Sequence, residues 1–86
     1  MSEINKQYPQ KKGLLVKQNE AGFVLVNDNG KSYATNEVIR DIWQLSDGTK
    51  SVDSIIQVTK SHHQSASVEA IESIFVKLSM ADLISL

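Results

Sequence analysis

The spacing of apolar residues changes at Asn36, and no other feature of this sequence constrains the fold as strongly. Before it, "LLVKQ", "GFVLVN" and "KSYAT" are short segments rich in the β-branched and aromatic residues that favour strands. After it, the apolar residues recur with the period of a helix, at Val38, Ile39, Ile42 and Leu45. The sequence therefore predicts strands first and helices afterwards.

Polar residues mark the expected helix starts. Asn36 and Ser51 each precede an amphipathic stretch, where their side chains can accept a hydrogen bond from an unpaired backbone N–H, and the third helix is expected to start near Ser67. The second helix is expected to bury Val52, Ile55, Ile56 and Thr59, and the third runs through "VEAIESIFVKLSMADLI". The predicted order is βββααα, an α+β fold with a three-stranded antiparallel sheet followed by three helices.

The sequence also predicts the turns between these elements and the state of the N-terminal segment. Asn29–Gly30 predicts a type I′ hairpin turn before the third strand, because that turn needs positive φ at both central residues. Gly48 is expected to stop the first helix. Residues 1–12 are polar and follow neither period, so we predict a mobile arm over 1–12 and one folded domain over 13–86.

Composition limits the classes of function. The net charge of −1 gives no positive field that would attract nucleic acid or an anionic membrane surface. The absence of cysteine removes disulfides and thiolate chemistry. The N-terminal stretch has no apolar signal-peptide region, and no run of apolar residues is long enough to span a membrane. We therefore expect a cytoplasmic protein without nucleic-acid or membrane partners.

The sequence also offers little for catalysis. His62 and His63 are adjacent, so they point to different sides of a helix, and no further ligand stands at metal-binding spacing. Serine, histidine and aspartate occur, but none lies in a nucleophile motif, and the dispersed glycines form no phosphate-binding loop. We expect no enzyme, no metal and no cofactor, which leaves binding as the function to explain.

The stretch "TNEVIRDIWQLSDGTKSVDSI" and the final "VKLSMADLI" resemble the PqqD-like family, also called the RiPP recognition element. The resemblance covers residues 14 to 84. Its motif positions are occupied here by Asn36, Ile42, Trp43, Leu45, Asp47, Gly48, Ser51, Val52 and Ile55. Two positions depart from the pattern: Thr35 replaces a leucine, and Asp82 replaces a glycine.

The resemblance implies a winged-helix-like fold that binds the leader of a ribosomally synthesised precursor peptide. The leader would add as a strand to the third β-strand, beside the third helix, and a separate enzyme would modify the core peptide. Such partner enzymes include radical SAM enzymes, cyclases and leader peptidases. The expected strand contacts are Lys31, Ser32, Tyr33, Ala34 and Thr35. The expected groove residues on the third helix are Val68, Ile71, Glu72 and Phe75.

The position of the third strand in the predicted sheet also favours peptide binding there. As the last strand of a meander, "KSYAT" would be an edge with unpaired backbone groups, and it carries only Lys31 as protection. An extended peptide could pair with those groups. Two alternatives remain open: a winged-helix DNA-binding regulator, for which the helices carry few basic residues, and an oligomerisation or scaffold module that pairs its own edge strands.

Overall fold

The computed structural model describes residues 6–19 and 22–86, with side chains for residues 6–16 and 22–86. Residues 1–5 of the expected arm and residues 20–21 of the first hairpin turn lie outside these ranges. The strands are β1 (Gln10–Lys11), β2 (Leu14–Asn19), β3 (Gly22–Val26), β4 (Ser32–Thr35) and β5 (Ile84–Ser85). The helices are α1 (Glu37–Leu45), α2 (Val52–His62) and α3 (Val68–Met80).

The main sheet is antiparallel and has the strand order β2-β3-β4. Residues directly opposite each other share a face of the sheet. Leu15, Leu25 and Tyr33 therefore lie on one face, which packs against the helices and which we call the inner face. The outer face carries Leu14, Val16, Val24, Val26, Ser32 and Ala34. The predicted three-stranded sheet followed by three helices is confirmed.

Both predicted helix caps form, and a third cap forms at Ser67, where the third helix was expected to start. The side chain of Asn36 accepts a hydrogen bond from the backbone N–H of Ile39 at 2.9 Å. Ser51 and Ser67 cap α2 and α3 in the same way. The apolar residues predicted on α2 are all buried, and they join Leu25, Ile42, Trp43, Ile71 and Phe75 in one core between the sheet and the helices.

Residues 7–12, which belong to the predicted mobile arm, lie against the domain in this structure. Four backbone hydrogen bonds hold them, to Ser46, Gly48, Val52 and Leu83. In addition, β1 pairs with β5, and Pro9 is fully buried. A two-residue strand shows no period in a sequence, so this attachment leaves no pattern to detect. The folded unit therefore extends at least to Gln7.

The turn before β4 differs from the expected type I′ turn. Gly30 has a φ of 85°, but Asn29 does not take a positive φ. The N–H of Gly30 donates to the carbonyl of Asn27, and the N–H of Asn27 donates to the carbonyl of Lys31. This is the three-residue hairpin loop in which a turn is followed by one left-handed residue.

The end of α3 shows what Asp82 does at the position where the resemblance leads us to expect glycine. Asp82 has a φ of 60°, the left-handed conformation that glycine adopts most easily. The N–H of Leu83 donates to the carbonyl of Leu78 and that of Asp82 to Ser79, which is the Schellman arrangement of a helix end. The carboxylate of Asp82 also pairs with Lys12, which raises the pKa of that lysine.

Candidate functional site

Strand β4 is an edge of the sheet. It pairs with β3 on one side, and in the part of the chain that the structure describes no strand pairs with its other side. Ser32 and Ala34 are exposed, whereas Tyr33 and Thr35 are half-buried. The free side therefore presents backbone N–H and C=O groups that a further strand could use.

A cavity of about 210 Å³ lies beside this edge. Its walls come from β4, α1, α3 and the segment that follows α3. The lining residues are Tyr33, Ala34, Thr35, Ile39, Ile74, Lys77, Leu78, Ala81 and Leu83. Lys77 is the charged residue in this lining, and the other side chains are mostly apolar. A neighbouring apolar side chain could therefore enter the cavity without burying an unpaired polar group.

Asn27 holds the two walls of the cavity together. Its Oδ1 accepts hydrogen bonds from the backbone N–H groups of Asn29 and Lys31, at 3.0 and 2.9 Å, which orders the loop before β4. Its Nδ2 donates to the carbonyl of Ala81 at 2.9 Å. Since Ala81 lines the cavity, this buried side chain fixes the end of α3 relative to the start of β4.

The other end of β4 is also held. The hydroxyl of Thr35 donates to the carbonyl of Phe23 at 3.0 Å, across the β3–β4 pair. The guanidinium of Arg40 lies 4.5 Å from the centre of the Phe23 ring, close enough for a cation–π interaction. The edge strand is thus fixed at both ends, so its backbone groups are pre-ordered for a partner strand.

The structure places the nine predicted site residues in three different environments. Lys31, Ser32, Tyr33, Ala34 and Thr35 follow one another along the free edge or lead into it, and the last three line the cavity. The residues predicted on α3 do not line it.

Ile71 and Phe75 are completely buried in the core, so no ligand can contact them in this structure. Val68 is 43% exposed and Glu72 is half-buried. With 3.6 residues per turn, these two lie roughly 120° and 160° around α3 from Ile74. The edge of α3 that faces β4 is therefore the edge of Ile74, Lys77 and Ala81, and the predicted groove residues belong to the core and to the opposite edge.

Sequence reasoning missed several lining residues for a physical reason. The apolar arc of α3 is wide, and periodicity shows that it exists without showing which edge meets the sheet. A local signal existed for Asn27 alone, because it opens the turn sequence "NDNG", where an asparagine side chain often bonds to the backbone two residues later.

A second cavity of about 270 Å³ lies between α1 and α2. Asp41 and Thr59 are among its lining residues. The hydroxyl of Thr59 has no hydrogen-bond partner in the described part of the chain, but it is closed to solvent and so also to a ligand. This cavity adjoins no free strand edge, so we do not include it in the candidate site.

Asp41 and His63 connect α1 to the end of α2. The carboxylate of Asp41 lies 2.8 Å from Nε2 of His63 and 3.0 Å from a guanidinium nitrogen of Arg40. Partial burial favours a higher pKa for Asp41, but the hydrogen bonds from His63 and Arg40 outweigh it and lower the pKa. Within the residues that the structure describes, no three acidic, histidine or cysteine side chains are grouped as metal ligands.

A family model described as "Coenzyme PQQ synthesis protein D (PqqD)" matches residues 22–78. The chain belongs to the PqqD family. This match covers β3, β4, α1, α2 and most of α3, and so includes most of the candidate site. Membership of this family indicates an accessory role in the biosynthesis of PQQ or of other ribosomally made, modified peptides. No curated protein and no solved structure matches the chain.

None of the helices that the structure describes is both long and apolar enough to cross a membrane.

Proposed function

We propose that this PqqD-family chain binds the leader of a ribosomally synthesised precursor peptide and presents it to a separate modifying enzyme. The observation that supports this best is the position of the apolar cavity directly beside the free edge of β4. The chain itself acts as a non-catalytic peptide chaperone in the cytoplasm. Its partner is a radical SAM enzyme, a cyclase or a leader peptidase.

The leader adds to β4 as an antiparallel strand. Backbone hydrogen bonds to the free edge provide affinity that depends little on the peptide sequence. Because side chains alternate between the two faces of a sheet, every second leader residue points to the inner face. Those side chains reach the cavity between β4 and α3. Because the cavity is mostly apolar, it selects leaders with apolar residues at these positions.

The bound leader holds the core peptide near the modifying enzyme. A tethered substrate reacts at a high effective concentration, so the module accelerates modification without contacting the reacting atoms. The binding residues that we now assign are Lys31 to Thr35 along the edge, with Ile39, Ile74, Lys77 and Ala81 around the cavity.

The test uses a synthetic leader peptide, taken from a short open reading frame beside the gene for this chain. Titration into ¹⁵N-labelled protein should shift the amide signals of residues 31–35 and 74–81. Ile74→Ala removes part of a cavity wall and should weaken leader binding by roughly tenfold, which corresponds to about 1.4 kcal/mol.

Val68→Ala is the matched control, because it shortens an apolar side chain on the opposite edge of α3. It should change the affinity by less than about twofold, the range expected for a residue outside the contact. Thermal unfolding of both variants checks that they are folded. A loss of binding with Val68→Ala but not with Ile74→Ala would contradict the cavity assignment, and absence of leader binding by the unmodified chain would contradict the proposed function.

A further inference from the structure

The main sheet has a second edge, formed by β2. This strand pairs with β3 only, as far as the described residues show, and with six residues it is the longest strand. Its first three residues, Leu14, Leu15 and Val16, include neither a charge nor a proline. Leu14 is 68% exposed and Val16 is 45% exposed. This first half of the edge can pair with another strand, because the charge that protects an edge appears only later in β2, at Lys17.

Residues 14–16 of one copy are complementary to residues 14–16 of a second copy. In an antiparallel pair of two β2 strands centred on Leu15, Leu14 of each copy lies opposite Val16 of the other. The two Leu15 side chains then face each other on the inner side. Leu14 and Val16 lie on the outer face in both copies, so the two outer faces join into one. The three central pairs of this register are apolar against apolar, and the next pair on each side places Gly13 opposite Lys17.

We propose that β2 pairs with the β2 strand of a second copy of this chain. The pairing is isologous, with a two-fold axis between the two Leu15 residues. It produces a six-stranded sheet with the order β4-β3-β2-β2-β3-β4. Both β4 edges stay free, and they lie roughly 24 Å apart at a strand spacing of about 4.8 Å. The association does not depend on peptide binding.

A second copy fits this edge better than a foreign protein. The exposed side chains of Leu14 and Val16 carry no charge that would select an oppositely charged partner, and the apolar pattern of residues 14–16 matches itself in one register. The contact is small, because a strand pair of this length buries less than the roughly 1,600 Å² of a standard stable interface. We therefore expect a dimer that dissociates in the micromolar range or above.

The experiment measures mass by analytical ultracentrifugation from micromolar to millimolar protein. The average mass should rise from the chain mass of 9.5 kDa toward twice that value. The double variant Leu14→Lys/Val16→Lys places like charges opposite each other at both outer-face pairs, so it should stay monomeric. In Leu14→Lys/Val16→Glu, each introduced lysine faces an introduced glutamate of the other copy, so dimerisation should return.

Val76→Lys is the control, because it adds a charge at a similarly exposed apolar position on α3. It should dimerise as the unmodified chain does. Amide spectra check that every variant is folded, and the concentration-dependent shifts should lie at residues 14–16. The proposal is overturned by a chain that is monomeric at millimolar concentration, by two double variants that behave alike, or by concentration-dependent shifts that lie at residues 32–35 instead.

Discussion

Gly13 stands where the backbone leaves no room for a side chain. It connects β1 to β2 and has a φ of 84°, which residues with a Cβ rarely adopt. A methyl group at this position would collide with the carbonyl oxygen of Val26, which is part of the backbone and cannot turn away. The close approach of Gly13 to Val26 thus positions the start of β2 beside the end of β3.

Gly13→Ala should lower the free energy of unfolding by roughly 2–5 kcal/mol, from the left-handed backbone and the collision together. Gly30→Ala is the control, because Gly30 has the same backbone conformation but open space around it. That variant should lose only about 1–2 kcal/mol. Urea unfolding of both measures the difference, and equal losses would show that the Val26 carbonyl imposes no constraint.

Among the elements, those with local signals were predictable and those that depend on packing were not. The caps Asn36 and Ser51 were predicted because a cap depends on a few neighbouring residues. The edge of α3 that faces β4 was not predicted, because contacts with residues distant in sequence decide how the helix is rotated against the sheet. The strands β1 and β5 were missed because two residues cannot show alternation.

The connection between α1 and α2 is organised by Asp47. Its carboxylate accepts hydrogen bonds from the hydroxyl and the backbone N–H of Thr49, and it also contacts Lys50 at 3.3 Å. These interactions, chiefly those with Thr49, lower the pKa of Asp47 from 3.8 to about 2. The sequence motif Asp47–Gly48 thus contributes a turn held by an ionised side chain.

The pKa of Asp47 predicts a specific pH dependence. Because the folded pKa lies below the unfolded value, this contribution to stability is present above pH 3.8 and is lost as the pH falls through about 2. In Asp47→Asn, the free energy of unfolding should be lower at neutral pH and should fall less between these two pH values. Urea unfolding at several pH values measures this slope.

Asp28→Asn controls for the removal of one negative charge, since Asp28 lies in the exposed loop before β4. If the Asp47→Asn chain kept the full acid-dependent slope of the unmodified chain, another carboxyl group would have to be responsible.

On the scale of the whole molecule, the fold class was predictable, because strand-type spacing of apolar residues is followed by helix-type spacing. The cavity was not predictable from the sequence. Three separated parts of the chain form the cavity: β4, Ile39 of α1, and the stretch from Ile74 to Leu83. Their mutual position depends on the core and on the Asn27 hydrogen bonds. The free edge of β4 was predictable, because a meander leaves its last strand unpaired.

The attachment of residues 7–12 should contribute to the stability of the whole domain. Deletion of residues 1–11 removes the β1–β5 pairing and three further backbone hydrogen bonds, to Ser46, Gly48 and Val52. At about 0.5–1.5 kcal/mol each, we expect these three bonds alone to account for a loss of roughly 1.5–4.5 kcal/mol. Thermal and urea unfolding measure this loss.

Deletion of residues 1–6 is the matched control, because it keeps all of these hydrogen bonds. It should leave the unfolding midpoint nearly unchanged. If the longer deletion had no larger effect than the shorter one, residues 7–11 would be attached too weakly to matter.

The pairing of β1 with β5 has one further consequence. Gln10 lies opposite Ser85, so the first and last strands of the folded unit are neighbours. From Gln10 to Ser85 the chain is therefore almost a closed ring, and a linker of a few residues would join these two positions. A circular permutant with new ends in the loop at residues 28–30 would keep every strand and helix intact. For the same reason, an enzyme fused after Leu86 would emerge beside the start of β1.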